Sequence, residues 1–216
     1  MRDSAVARRR MRTPGRGRPP ADSRHIDFRS LLGRRAWLEL PVAVRERFRA
    51  DLPSRRYDGT MAVRASTAGF LIAQACRLIG RPLAPWRGEA VRVSVTVYTD
   101  AQGALVWDRL YRFDGRRPVF VSSRKVADGR GLVEIVRGGL GMVLALSVED
   151  GALHFRSRSY FWEIGGWRIG VPGLATPGAA HVVHRDEGQG RFRFTLAFRH
   201  PWFGLTLFQE GVFRDP

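Results

Sequence analysis

The sequence predicts an α+β fold in which two N-terminal helices pack on a large curved antiparallel β-sheet or open β-barrel of about nine strands. Helical spacing of apolar residues is confined to the stretch before residue 89, whereas beyond it apolar and polar residues alternate with a period of two. Many one-sided strands joined by short turns typically curl into a barrel or split into a sandwich. The helices are expected to cover or plug the open side of the sheet.

The first helix is predicted over residues 41–51. Pro41 suits the first turn of a helix, and Val44, Phe48 and Leu52 follow at helical spacing.

The second helix is predicted in STAGFLIAQACRLIGRP. Ser66 or Thr67 can cap its start, and Gly80 and Pro82 are expected to end it. We expect this helix to be well buried because its apolar face is broad. That face comprises Phe70, Leu71, Ala75, Leu78 and Ile79.

The strands are separated by turns rich in glycine and aspartate. A short strand, MAVRA, precedes the second helix, and the others are VRVSVTVY, LVWDRLYRF, VFVSSRKV, LVEIV, GMVLALSV, ALHFRSRSYFW, HVVHRD, RFRFTLAFRH and LTLFQEGVF. Alternation along each strand leaves one apolar face, which is typical of an antiparallel sheet that covers a core. The segment GGWRIGVPGLATPG is rich in glycine and proline and is expected to be an irregular excursion.

Charge and composition bound the domain organisation and the location. Residues 1–24 are rich in arginine, glycine and proline and are expected to form a disordered tail, so that residues 25–216 form one domain. The formal net charge is +17, yet Lys125 is the only lysine and asparagine is absent, so a GC-rich bacterial genome accounts for much of the arginine. The single cysteine, Cys76, and the lack of any run long enough to span a bilayer favour a cytoplasmic protein that is not transmembrane.

Motifs for catalysis, metals and cofactors are missing from the sequence. There is no G-x-S-x-G, H-E-x-x-H, C-x-x-C, G-x-G-x-x-G or phosphate-binding loop. His181 and His184 are three residues apart, but on a strand their rings point to opposite faces, which argues against a shared metal. We therefore predict no catalytic residue, no metal and no cofactor.

An arginine stands in the middle of an apolar strand face. In LVWDRLYRF, Arg109 shares a face with Trp107 and Tyr111, and a buried unpaired charge is costly. Three explanations stay open. Arg109 can stack on an aromatic ring and pair with Glu134 or Glu210, it can extend to water at a sheet edge, or it can meet the anionic group of a ligand in a cavity.

The third explanation defines a set of candidate ligand-binding residues. Some of them flank Arg109 on its own strand. Others share one face of the next strand, where Arg124 is a second possible anion contact, and the remaining two are acids within apolar strands. The set is Trp107, Arg109, Tyr111, Phe120, Ser122, Arg124, Glu134 and Glu210.

The order of motifs resembles the bacterial domain-of-unknown-function family 4166. The matching pieces are LLGRRAWLELPVAVRERF, G-x-M-x-V from Gly59, GRPLAP, W-x-R-x-Y from Trp107, F-x-S from Phe120 and the tail RFRFTLAFRHPWFGLTLFQEG, which together span about residues 28 to 214. The resemblance implies that such domains occur alone or at the end of proteins with saccharopine-dehydrogenase-like or other dinucleotide-binding domains. It implies a dinucleotide-binding redox enzyme as a possible partner and implies no activity.

These observations favour a non-enzymatic domain that binds a small amphipathic or anionic ligand in a barrel-like cavity, or that serves as an accessory module to a redox enzyme. The first alternative is an enzyme on an acidic or lipid-like substrate, with Glu134 or Glu210 as the acid and Arg109 as the anion anchor. The second alternative is binding of a polyanion, either nucleic acid or an anionic membrane, through the arginine-rich tail. Nucleic acid is disfavoured because the rings and arginines of RFRF alternate strictly, as in an ordinary amphipathic strand.

Overall fold

The computed structural model describes residues 26–50, 53–79, 83–129 and 131–216, so the predicted tail over residues 1–24 lies outside the described residues. The described chain contains four α-helices, α1 to α4. They are Phe28–Leu32, Arg34–Glu39, Val42–Arg47 and Thr67–Ala75, and a 3₁₀ turn, Cys76–Ile79, follows the last. None of the described helices has both the length and the apolar character needed to cross a membrane.

Eleven strands, β1 to β11, form one antiparallel sheet in the described chain. In chain order they are Arg55–Ala65, Gly88–Thr99, Leu105–Arg112, Val119–Asp128, Gly131–Val136, Leu140–Glu149, Ala152–Ile164, Trp167–Val171, Ala179–Gly188, Arg191–His200 and Gly204–Arg214. A second 3₁₀ turn, Gly173–Ala175, lies between β8 and β9.

The sheet closes into a barrel. The strand order is β6-β5-β4-β3-β2-β1-β11-β10-β9-β7-β8, and β6 also pairs with β7, which leaves a ring of ten strands with β8 outside it. The first half of β7 pairs with β9 and its second half pairs with β8. The predicted α+β class with a barrel is confirmed.

The strand β8 corrects one expectation. The segment from Gly165 to Pro172 was expected to be irregular, but Trp167–Val171 forms a hairpin with the end of β7. Two glycines with positive φ, Gly165 and Gly166, make the tight turn that allows this pairing.

The helices before β1 pack against the barrel core. The Asp27 side chain caps α1 by accepting a hydrogen bond from the Arg29 N–H, and Phe28 and Phe48 meet edge to face with ring centroids 5.1 Å apart. Helix α3 starts just after Pro41, close to the predicted start, but it ends at Arg47 rather than near residue 51. Residues 51 and 52 lie outside the described chain.

Arg47 anchors α3 to the barrel. Its Nε and Nη2 donate to the two oxygens of Asp215 at 2.8 and 2.7 Å, and its Nη1 donates to Asp186 Oδ1 at 2.8 Å. The guanidinium also stacks over the ring of Phe192 at 4.8 Å. This cluster, which we call the Arg47 cluster, joins α3, β9 and the end of the chain.

The predicted burial of α4 is wrong. Its start at Thr67 with Ser66 as the cap is confirmed, and its expected end at Gly80 and Pro82 lies outside the described residues. However, Leu71 and Leu78 are 62% and 90% exposed, and the buried positions are small ones. A Cβ on Gly69 would lie 1.8 Å from the carbonyl oxygen of Thr206, so a glycine makes the closest approach of the helix to β11, and of the large residues Ile72 packs partly buried against the core there.

Candidate binding site inside the barrel

Strand β3 presents the arginine face to the barrel interior, as its alternation predicts. Trp107 and Tyr111 are buried, and the Arg109 side chain is 15% exposed. The Tyr111 hydroxyl donates a hydrogen bond to Gln209 Oε1 at 3.1 Å across the interior. These side chains face inward because successive residues of a strand point to opposite sides of the sheet.

The neighbouring strands β4 and β5 complete a charged cluster with Arg109. Lys125 and Glu134 are direct partners across the two strands, and Lys125 Nζ donates to Glu134 Oε1 at 3.0 Å. Arg109 Nη2 lies 3.8 Å from the same oxygen, and Arg109 Nη1 donates to Ser123 Oγ at 3.3 Å. We call Arg109, Lys125 and Glu134 the Lys125 cluster.

The Lys125 cluster carries two cationic groups against one carboxylate. Burial lowers the pKa of Lys125 to about 8, because the ammonium loses water that the attraction of Glu134 replaces only in part, and the charge of Arg109 adds to the lowering. Burial alone would raise the pKa of Glu134, but the charges of Lys125 and Arg109 hold it below its ordinary value. Glu134 therefore stays ionised, and Lys125 is the group that can lose its proton near neutral pH.

Trp107 supports both cations with its ring. Lys125 Nζ lies 4.1 Å and Arg109 Cζ lies 5.5 Å from the ring centroid, which is within the range of cation–π attraction. The Nε1–H of Trp107 is buried and has no acceptor among the described residues. Buried donors nearly always have a partner, so this unsatisfied N–H is an exception among the described residues.

A cavity adjoins the Lys125 cluster. It has about 80 Å³ of room for the centres of water-sized groups, and a second cavity of about 40 Å³ lies on the other side of Trp107, Arg109 and Phe194, which line both. Roughly 10 to 15 Å³ of such room holds one water, so the first cavity holds several groups of that size. Its polar lining residues include Arg109, Tyr111, Lys125, Glu134, Tyr160 and Gln209, and its other walls are mostly apolar.

A β-bulge brings Tyr160 into this cavity. The register of β7 against β6 shifts so that Ser157 faces Leu144 and Ser159 faces Val143, which leaves Arg158 as an extra residue. Unbroken alternation predicts that Tyr160 faces outward with His154, but the bulge turns Tyr160 inward. Its hydroxyl donates to the carbonyl of Gly178 at 2.7 Å, and burial raises its pKa to about 12.

Four of the predicted site residues lie on the outside of the barrel. Phe120 is 50% exposed, and Arg124 is 48% exposed and donates to Asp100. Ser122 alternates with the inward Val121 and Ser123, so it faces outward beside them. Glu210 is 39% exposed and accepts a hydrogen bond from Arg193 at 3.2 Å, so it does not meet Arg109. The other four, Trp107, Arg109, Tyr111 and Glu134, line the larger cavity together.

Sequence reasoning missed four residues of the site, Ser123, Lys125, Tyr160 and Gln209. A signal for two of them was present, because Val119 and Val121 define the apolar face of β4 and that face continues through Ser123 to Lys125. No local pattern indicated the bulge that turns Tyr160 inward.

The two histidines three residues apart point to opposite faces, as predicted for a strand. The ring of His184 lies inside the barrel, stacked on Phe192 with centroids 4.4 Å apart, and burial lowers its pKa to about 3. The ring of His181 lies outside and is 2.9 Å from His154, Nε2 to Nδ1. Within the described ranges, no group of three or more histidine, cysteine, aspartate and glutamate side chains is placed to hold a metal ion.

The fold and the interior together define a closed antiparallel barrel with a charged cluster at the wall of a small internal cavity. A family model, Domain of unknown function (DUF4166), matches residues 40–213, so the chain belongs to that family. No curated protein and no solved structure matches the chain.

Proposed function

We propose that this domain binds a small organic anion inside the barrel, at the Lys125 cluster. The observation that carries the proposal is the pairing of two cations, Lys125 buried and Arg109 15% exposed, with only one carboxylate beside a cavity. Buried charges in proteins are normally compensated, so the surplus cation needs an anion or must lose its proton. A carboxylate bound in the larger cavity would provide the missing negative charge.

Hydrogen-bonding capacity at the site supports an anionic ligand. A guanidinium has five N–H donors in a fixed fork that suits a carboxylate, and the hydrogen bond that Arg109 makes among the described residues is the long one to Ser123. The Trp107 Nε1–H adds a further donor without an acceptor. A ligand carboxylate could accept from both side chains.

The size and walls of the cavity limit the ligand. The free space next to Arg109 holds roughly five water-sized groups, which fits a short-chain organic acid and excludes a long acyl chain in this conformation. Phe155, Phe194 and Leu196 form apolar walls, which suit a short hydrocarbon part. We therefore narrow the amphipathic ligand expected from the sequence to a small one with an acidic head group.

One of the two acids proposed for the enzyme alternative, Glu210, does not lie near Arg109. That alternative required Glu134 or Glu210 near Arg109, and Glu210 lies on the outer surface with Arg193. Glu134 is near Arg109 but is ionised between two cations, so it is not the protonated acid that this alternative requires at rest. A binding role is therefore favoured for this cluster.

The test compares butanoate with butanol, which has the same length and no charge, by isothermal titration calorimetry on the full chain. We expect butanoate to bind more tightly, and Arg109→Gln to weaken it by about tenfold to a hundredfold, the usual contribution of a charge-assisted hydrogen bond. The matched control is Arg124→Gln, which removes an arginine from the outer face of the next strand and should leave binding unchanged. Equal affinities for butanoate and butanol, or equal losses in the two variants, would overturn the proposal.

A further inference from the structure

Lys125 is a buried amine at the wall of a cavity, and an anion-binding role alone does not require it to be lysine. An arginine keeps its charge under all ordinary conditions, whereas a lysine amine can lose its proton and act as a nucleophile. The chain uses arginine at every other Lys or Arg position, so Lys125 is the one side-chain amine in 216 residues. That amine is placed 3.0 Å from a carboxylate oxygen in the barrel interior.

We propose that Lys125 forms a reversible imine with the carbonyl group of a small oxo acid whose carboxylate is held by Arg109. This inference rests on the proposed anion site and names the class of ligand that the site takes. The two functional groups of an α-oxo acid are on adjacent carbons. The two cationic groups that would receive them approach the same Glu134 oxygen, Lys125 at 3.0 Å and Arg109 at 3.8 Å.

The environment of Lys125 suits this reaction. With a pKa of about 8, a substantial share of the amine is neutral at slightly alkaline pH, and only the neutral amine attacks a carbonyl carbon. The apolar walls and the Trp107 ring exclude most water. Since hydrolysis of an imine consumes water, this exclusion favours the imine.

The reaction balances without any oxidant or reductant. The neutral Lys125 nitrogen bonds to the carbonyl carbon, and a proton passes from that nitrogen to the former carbonyl oxygen by way of the Glu134 carboxylate. The carbon–oxygen bond of this carbinolamine then breaks, the oxygen leaves as water with a second proton from the nitrogen, and the imine remains. Glu134, at hydrogen-bond distance from Nζ, acts as the proton carrier and is unchanged at the end.

The test is reductive trapping on the full chain, with pyruvate as the charged probe and pyruvamide, which has the same ketone and size, as the uncharged one. Cyanoborohydride reduces an imine to a stable secondary amine, and peptide mass spectrometry locates it. We expect pyruvate to label Lys125, with labelling that rises as pH passes through about 8 rather than 10.5. Lys125→Arg, which keeps the charge but has no reactive amine, should lose this label and keep only the background of the chain terminus.

The two probes separate this inference from the proposed function. In the parent protein pyruvate should label Lys125 about tenfold faster than pyruvamide does, and Arg109→Gln should abolish that preference without blocking pyruvamide. Labelling of Lys125 by pyruvamide with no preference for pyruvate would support the amine and overturn the anion site. Pyruvate that competes with butanoate but leaves Lys125 unlabelled would support the anion site and overturn the imine.

Discussion

Two ion clusters in the barrel have opposite compositions. The Arg47 cluster places one cation between two carboxylates, Asp186 and Asp215, whose side chains are 18% and 30% exposed. The Lys125 cluster places two cations, Arg109 and Lys125, against a single carboxylate that is 8% exposed. Each therefore has one charge in excess, but the signs and the access to water differ.

The difference indicates two roles. The excess negative charge of the Arg47 cluster can be hydrated because its carboxylates reach the surface, so that cluster needs nothing more and serves to hold α3, β9 and the chain end together. In the Lys125 cluster the side chains of Lys125 and Glu134 are only 4% and 8% exposed, Arg109 is 15% exposed, and all three face a cavity. The surplus charge of this cluster is removed when Lys125 loses its proton, or is compensated when the proposed anion binds.

The largest loss of stability is expected from Glu134→Gln, because it leaves two buried cations without a carboxylate. We predict that the free energy of unfolding at pH 6 falls by about 3 to 5 kcal/mol. The loss should be smaller at pH 9, because Lys125 is then mostly neutral in the parent and in the variant. Denaturant titrations at the two pH values check this, and an equal loss at both would show that the charge of Lys125 does not matter.

A smaller loss is expected from Arg47→Met, which breaks the opposite cluster. The two carboxylates left behind can take up water, so we predict a decrease of about 2 kcal/mol, below the usual figure for a fully buried pair. The control is Arg35→Met, since Arg35 is 97% exposed and should contribute almost nothing. A loss as large as that of Glu134→Gln would contradict the distinction between the clusters.

Acid should lower the stability of the region around the Arg47 cluster, because the buried His184 lies beside Arg47. The folded protein holds the pKa of His184 near 3 by burial and by the charge of Arg47, whereas the unfolded chain binds a proton near pH 6.5. Stability contributed by this group is therefore present above about pH 6.5 and is lost as pH falls towards 3, by about 2 kcal/mol at pH 5. His184→Phe should remove this part of the acid sensitivity, measured as unfolding free energy at pH 5 and 7, and an unchanged pH dependence would contradict it.

The smallest effect at pH 7 is expected from Lys125→Met, because it removes the surplus cation and leaves Arg109 with Glu134. We predict a change in unfolding free energy within about 1 kcal/mol of zero. In the parent, the unfolded chain keeps the lysine proton between pH 8 and 10 while the folded protein does not, so stability from this group rises with pH by up to about 1.4 kcal/mol per unit. The variant should lack that rise, and an identical pH dependence in both proteins would refute the lowered pKa of Lys125.

The sequence predicted the interior best where strands keep a strict period of two. On β3 the apolar neighbours of Arg109 set its direction, so Trp107, Arg109 and Tyr111 were placed together correctly. On β4 the candidate residues were chosen on the face of Phe120 because its ring is large and apolar. The inner face is instead the one that carries the smaller Val119 and Val121. Partners distant in the sequence, such as Gln209 for Tyr111, depend on barrel closure, which no local pattern encodes.

Helix α4 shows a second limit of pattern reading. Large apolar residues usually mark the buried face of a helix. Here the close approach of Gly69 to the backbone of Thr206 decides which face packs, and Leu71 and Leu78 are left exposed. Close backbone contact favours the smallest side chains, and this preference runs against hydrophobicity.

Because Lys125 is the only lysine, cleavage after it can be used to measure how readily the barrel opens. A protease that cuts only after lysine has one cleavage site in this chain, in the middle of β4, with the Lys125 side chain inside the closed ring. The backbone of β4 can enter the active site of such a protease only after β4 separates from β3 and β5. The rate of cleavage therefore reports the opening of the barrel. A ligand that binds only the closed form slows the cutting in proportion to its occupancy, so proteolysis at a single bond can measure affinity without a label.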